Sequence, residues 1–316
     1  MEDYGLSPSP LDTKEMKPGQ YEAWDNDIRR LISTNTFKGA KVDITKPLTP
    51  NFMCRHAIQL GDSPMNPNAN EHYSFMAQIF NDTGVAMTTL DQYGSLESQF
   101  ILPTLPFDKR MSSKVILYFG QGDMFWHDID YAGETSNVQF RWGVNVMGWQ
   151  GKMAQFAYTQ ALTPSLSVAS QCSLQNNFTT PTSEASIKLD RPSDTIIGTY
   201  KSHMQPCQSG EDGMMEIDFL YHRKVVKDRV NLAAQLQLVP MAMHAASTFG
   251  AEFQLHQSTV NTSFCPSAGK LATTIQSKLS QGMNMTFSLE GIFGAQNPQT
   301  GEQADSFRFG CGLSLG

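Results

Sequence analysis

FRFGCGLSLG, from Phe307 to Gly316, has the alternation from which the architecture can be predicted. Apolar side chains stand at alternate positions, 307, 309, 311, 313 and 315, and small or polar residues lie between them. A period of two predicts a β-strand with one apolar face. No charge follows Arg308, so this strand needs a partner on each side or it becomes an exposed adhesive edge. The architecture therefore depends on what the terminal strand closes against.

The composition favours a membrane β-barrel. Charged residues make up 17% of the 316 residues, below the usual roughly 25%, and uncharged polar residues replace them. Many short segments that alternate apolar with uncharged polar residues are typical of a transmembrane barrel. A soluble β-sandwich or propeller also alternates and remains an alternative. The net charge of −7 disfavours nucleic acid as a partner.

The first part of the chain is predicted to contain one helix. Residues 1–20 are polar and rich in proline, which predicts a disordered tail. Residues 21–34 are expected to form an amphipathic α-helix, since four apolar residues fall on one helical face. That face consists of Tyr21, Trp24, Ile28 and Leu31.

The rest of the chain, 36–316, is predicted to be all-β. Segments such as MMEIDFLY (214–221) and MNMTFSLEG (283–291) alternate with turn signals, and no βαβ alternation appears. Dividing roughly 280 residues by about 15 per strand and turn gives about 18–19 strands. No run is long and apolar enough for a membrane helix, and the N-terminus does not read as a leader peptide. We therefore expect a transmembrane β-barrel of about 19 strands that is targeted without a cleaved leader.

Enzymatic chemistry is not expected. The sequence lacks G-x-S-x-G, Walker A and H-E-x-x-H motifs. Five cysteines without a C-x-x-C pair disfavour a disulfide framework and a zinc site. The HDID stretch (127–130) does not predict a metal site, because alternation places His127 opposite Asp128 and Asp130. We expect no catalytic residue, no cofactor and no metal.

Four stretches carry a family resemblance. The last strand resembles the β-signal that sorts mitochondrial outer-membrane barrels, with Arg308, Gly310, Leu313 and Leu315 at its characteristic positions. Three other stretches resemble hairpins of one group in the eukaryotic porin superfamily, the channel subunits of the mitochondrial outer-membrane protein translocase. These are TFKGAKVDITKPLTPNFMCRHAIQLG (36–61), LDQYGSLESQFIL (90–102) and YTQALTPSLSVASQ (158–171).

The resemblance implies a fold, a location and partners. It implies a multi-pass barrel in the mitochondrial outer membrane whose N-terminal helix lies inside the lumen, and whose terminal strand (306–315) pairs in parallel with the first (38–46). Its function would be to translocate precursor polypeptides. Expected partners are precursors with basic presequences, small single-span subunits, receptor subunits, membrane lipids and a second barrel. A metabolite porin of the voltage-dependent anion-channel type, with the same fold, is the alternative.

Carboxylates on the polar faces of the strands are the candidate binding groups. An acidic lumen attracts basic amphipathic presequences through weak, salt-screened contacts. Such contacts have to stay weak, because a strong site would trap the cargo. The candidates for this pore wall are Asp43, Glu97, Asp128, Asp130, Glu216 and Asp218.

Overall fold

The computed structural model describes most of the chain. It covers residues 18–61, 71–106, 108–120, 123–145, 151–175, 180–203, 214–227, 229–296 and 303–316. Residues 1–17 of the predicted tail and Cys207 lie outside the described residues. The four cysteines within them are free thiols.

The described residues form one closed sheet of nineteen strands, which confirms the predicted barrel. The strands are β1 Gly39–Thr49, β2 Phe52–Leu60, β3 Glu71–Asn81, β4 Gly84–Asp91, β5 Leu96–Leu102, β6 Met111–Phe119, β7 Met124–Ala132, β8 Ser136–Asn145, β9 Met153–Ala161, β10 Leu166–Gln175, β11 Thr180–Asp190, β12 Asp194–His203, β13 Met214–Val226, β14 Val230–Val239, β15 His244–Gln254, β16 Ser258–Cys265, β17 Lys270–Ser280, β18 Met283–Gln296 and β19 Gln303–Leu315.

Ring closure occurs between the first and last strands. Consecutive strands pair antiparallel, whereas β1 and β19 pair in parallel, from Gly39 opposite Gly310 to Ile44 opposite Leu315. An odd number of strands makes this pairing necessary, because the first and last strands then run in the same direction. The terminal strand therefore finds a partner on both sides, and the predicted parallel closure is confirmed.

The N-terminal segment contains two short helical pieces. A 3₁₀ turn spans Tyr21–Ala23, and the helix α1 spans Asn26–Ile32. A further 3₁₀ turn, Pro240–Ala242, joins β14 to β15. Among the described residues, no helix has both the length and the apolarity needed to cross a membrane.

The two faces of the barrel wall differ in chemistry. Large apolar side chains such as Phe219, Phe249 and Phe309 are exposed on one parity of the strands. The other parity carries buried polar groups such as Asp218 and Glu290, which contact the N-terminal segment. The polar face is therefore the lumen, and the apolar face is the outer wall.

Candidate channel lumen

Each of the six predicted carboxylates lies on the lumen face of its strand. The N-terminal segment contacts Asp130 and Asp218 directly. It reaches Asp128 through Arg141, and Glu216 has the same strand parity as Asp218. Asp43 lies opposite Ser314, two residues beyond Gly312, whose inner side meets the Phe37 ring. Glu97 lines one cavity with Arg141, which binds Glu22 of the N-terminal segment. All six share the face on which the N-terminal segment packs, and their role in binding a presequence stays a prediction.

The apolar face of the N-terminal segment packs on the lumen wall. One buried cluster unites side chains of the segment with wall residues from β10, β12, β13 and β14. Its members are Trp24, Ile28, Leu31, Ile32, Ala169, Ile197, Leu220 and Ala233, with Tyr21 packed against it. At Gly250 of β15, an added Cβ would lie 2.3 Å from the Leu31 carbonyl oxygen. The helix backbone rests directly on this glycine.

Ion pairs fix both ends of the segment to the wall. Arg141 of β8 binds Asp128 at 2.6 Å and also binds Glu22. At the other end, Arg30 donates to Glu252 at 2.8 Å, and the Glu252 side chain is only 3% exposed. Because a buried carboxylate needs a compensating partner, these cations stabilise the wall as well as the helix.

Two groups of the N-terminal segment have raised pKa values, for different reasons. Burial raises the pKa of the Tyr21 phenol, which bonds to Glu184 and Ser186. Burial acts to lower the pKa of Arg29, but the hydrogen bond and charge of Asp25 outweigh it and leave that pKa raised. Both groups therefore keep their protons across the physiological range.

Most of the predicted wall carboxylates already have a cation nearby. Arg55 lies 2.9 Å from Asp43, and Lys201 lies 4.0 Å from Glu216. Asp218 has Arg29 at 3.8 Å and accepts two hydrogen bonds from Gln235. Asp128 is bound by Arg141.

Two candidates differ from the rest. Glu97 accepts a hydrogen bond from Gln99 at 2.5 Å, and Asp130 accepts one from Gln20 at 2.9 Å. Neither has an ion-pair partner within the described part of the chain. Glu97 and Asp130 are consequently the carboxylates that are best placed to attract an external cation.

The β-signal residues divide between the two faces. Arg308 faces the lumen, 3.8 Å from Glu290, whose other contacts are Lys270 and Thr36. Gly310 also faces inward, where an added Cβ would lie 2.3 Å from the Phe37 carbonyl oxygen. Leu313 and Leu315 share the outer parity with Phe309. The small residue at 310 thus makes room for the chain that enters β1.

An apolar patch on the lumen wall was not predicted from the sequence. Ile116, Tyr118, Met124 and Trp126 line a cavity of about 430 Å³ together with Glu97 and Arg141. The sequence feature that could have indicated this patch is Trp126, a large aromatic residue on the same face of β7 as Asp128 and Asp130. The patch lies on β6 and β7, whereas α1 packs against β13 to β16.

His127 is on the outer wall. Its Nε2 lies 2.9 Å from the Ser113 hydroxyl, and the Trp142 indole donates to its Nδ1 at 3.2 Å. It therefore points away from Asp128, as alternation predicted. Within the described ranges, no group of three or more His, Cys, Asp or Glu side chains is arranged to hold a metal ion.

Comparison with known proteins identifies the family. Two engineered variants of a porin from Rhodopseudomonas blastica are similar in structure, at 10% and 9% identity with TM-scores of 0.46 and 0.47. Each similarity covers 84% of this chain and 98% of that chain, and at these scores it carries no argument about function. No curated protein matches the sequence. The model of the eukaryotic porins matches residues 17–291 of the 316, so the chain belongs to the eukaryotic porin family.

Proposed function

We propose that this outer-membrane β-barrel conducts unfolded precursor polypeptides across the mitochondrial outer membrane. The family and the closed barrel make it a membrane channel of the porin type. The observation that carries the finer proposal is the surface on β5 to β7, where Glu97 adjoins Ile116, Tyr118 and Trp126. A basic amphipathic presequence presents a cationic face and an apolar face, and this surface offers a counterpart to both.

Passage requires that no single contact be strong. Most lumen carboxylates are already paired, so the field that a basic peptide meets comes from a few groups such as Glu97. Weak and additive contacts of this kind attract a cationic chain without holding it. Partners of the translocase type, namely small single-span subunits, receptor subunits and a second barrel, belong to the same proposal.

A metabolite porin is the second candidate. It is favoured by the cations on the lumen wall, among them Lys201, Arg55 and Arg308. Such a channel would prefer small anions and would have no use for the apolar surface around Trp126. The two candidates differ in whether a polypeptide contacts that surface.

Photocrosslinking distinguishes them. The change is Ile116→p-benzoylphenylalanine in isolated mitochondria that import a precursor arrested by a folded carboxyl-terminal domain. We expect an adduct between position 116 and the arrested chain. The matched control is Leu117→p-benzoylphenylalanine, because Leu117 is the next residue of β6 and shares the outer parity of the exposed Phe119. Adducts at position 117 but none at 116 would contradict the proposal.

A further inference from the structure

Three buried oxygen atoms on neighbouring strands receive no hydrogen bond from any described group. They are Asp130 Oδ1, Asn137 Oδ1 and Gln139 Oε1. Asn137 is 5% exposed and Gln139 is 4% exposed, so neither side chain reaches bulk solvent easily. A buried acceptor that lacks a donor costs free energy, and three of them together require an explanation.

The register of the sheet brings the three side chains together. Asp130 of β7 lies directly opposite Gln139 of β8, and Asn137 is two residues away on the same face of β8. Directly opposed Cβ atoms are about 5 Å apart, and the diagonal neighbours are about 7–8 Å apart. Side chains of this length converge across such distances. Thr159, opposite Asn137 on β9, donates to the Gly19 carbonyl at 3.1 Å and places the N-terminal segment over the same spot.

The surrounding charge remains negative. Three carboxylates, Glu22, Asp128 and Asp130, face two described cations. Arg141 binds the first two carboxylates, and Lys114 of β6 lies opposite Asp128. Asp130 is left with the neutral amide of Gln20 on its Oδ2. Neutral donors would bond to the three unpaired oxygens but would leave the excess negative charge. A bound cation would both coordinate the oxygens and compensate that charge.

We propose that Asp130, Asn137 and Gln139 form a site for a hard divalent cation, Ca²⁺, beneath residues 19–20. Carboxylate and amide carbonyl oxygens are ligands of Ca²⁺, which tolerates irregular geometry and completes its shell with water. Mg²⁺ demands an octahedron of shorter bonds, which a flat two-stranded wall supplies poorly. With one carboxylate the affinity is modest, with a Kd on the order of 10⁻⁴–10⁻³ M. A bound ion ties the N-terminal segment to β7 and β8, whatever the channel carries.

Thermal unfolding of the refolded full chain tests the site. We expect CaCl₂ to raise the unfolding temperature in a saturable way, because a ligand that binds only the folded state stabilises it. Asp130→Asn keeps the side-chain shape and should weaken the Ca²⁺ effect by about tenfold or more, since even outer-shell partners of metal ligands matter by 10–100-fold. The control Asp43→Asn should keep the wild-type response, because Asp43 already has Arg55.

Terbium luminescence gives a second readout. Trp126 lies four residues before Asp130 on the same face of β7, about 13 Å away. Tb³⁺ bound at the site should be excited through this indole and displaced by Ca²⁺. Should Asp130→Asn not fold, Asn137→Leu removes another ligand and should weaken the Tb³⁺ signal. Equal stabilisation by MgCl₂ or choline chloride at matched ionic strength, or an unchanged response in these variants, would overturn the proposal.

Discussion

Buried charges in this lumen are held by specific partners from distant parts of the chain. Glu252 is 3% exposed at its side chain, and Arg30 reaches it from the helix across 222 positions of sequence. Asp128 depends in the same way on Arg141. Removing one member of such a pair leaves the other charge desolvated, which costs more than the pair itself contributes. The helix and the wall are therefore coupled residue by residue.

Gly250→Ala tests the close approach between helix and wall. The new Cβ would lie 2.3 Å from the Leu31 carbonyl oxygen and 2.6 Å from its carbon, which are backbone atoms that cannot rotate away. We expect a loss of about 1–3 kcal/mol, the usual cost of overpacking. The measurement is the urea midpoint of the refolded barrel. At Gly198 of β12 an added Cβ meets nothing closer than 3.6 Å, so Gly198→Ala serves as the matched control. Equal midpoints for the two variants would contradict the packing described.

At this scale the sequence predicts faces but not partners. Period-two alternation placed Glu97, Glu216 and the other wall carboxylates on the lumen side, because side-chain direction follows from the backbone alone. The pairing of Asp43 with Arg55 arises from strand register and side-chain reach, which alternation does not contain. The apolar patch around Trp126 was missed for the same reason, since it joins residues of separate strands.

The N-terminal segment acts as one element although it is built in two pieces. The 3₁₀ turn directs the Tyr21 hydroxyl to Ser186 at 2.8 Å, while Trp24 enters the apolar cluster. Helix α1 has only seven residues, fewer than an isolated helix needs in water, so its stability comes from the wall. The periodicity over 21–34 identified the apolar face, but not the interruption between residues 23 and 26.

Ile28→Ala tests this dependence. Ile28 is 1% exposed, and such truncations cost about 2–5 kcal/mol. A short helix that loses this contact should detach while the closed sheet persists. We expect faster proteolysis within residues 21–38 and an intact barrel fragment. Asn26→Ala changes an exposed position of the same helix and should leave the cleavage rate as in the unaltered chain. If the helix and the barrel were digested at the same rate, the barrel would not be stable independently of the helix.

The whole molecule is held as a ring by the parallel β1–β19 pair. Six pairs of residues define its register, among them Ala40 with Cys311 and Ile44 with Leu315. Closure removes the exposed edges that an open sheet of this size would present. Phe37, Glu290 and Gly310 reinforce the same seam from inside.

A fluorescent bis-thiol reagent measures that register. In a chain whose other four cysteines are replaced by serine, Ala40→Cys places a second thiol opposite Cys311. Dibromobimane should link the two thiols and become fluorescent. Ile44→Cys is the control, since it lies four residues further along, about 13 Å away. Stronger linkage at position 44 than at 40 would mean a different register.

The strand number and the parallel closure could be predicted from the sequence because both depend on the chain as a whole and not on contacts between particular residues. Strand length, turn signals and the period of two give a count, and family resemblance adds the parallel seam. The packing of the N-terminal segment on the wall could not be predicted, because it depends on Gly250 and Ala233. The role of these small residues appears only when β14 and β15 are adjacent. Small residues that admit a neighbouring backbone leave no periodic signal.

Planar-bilayer recording with a synthetic basic presequence peptide separates a polypeptide channel from a metabolite porin. The refolded chain should form a large cation-preferring pore that the peptide blocks in a voltage-dependent way, and Glu97→Gln should weaken the block. Glu134→Gln, at a rim carboxylate paired with Arg110, should leave the block unchanged. An anion-preferring pore that is indifferent to the peptide would contradict the account and favour a metabolite porin.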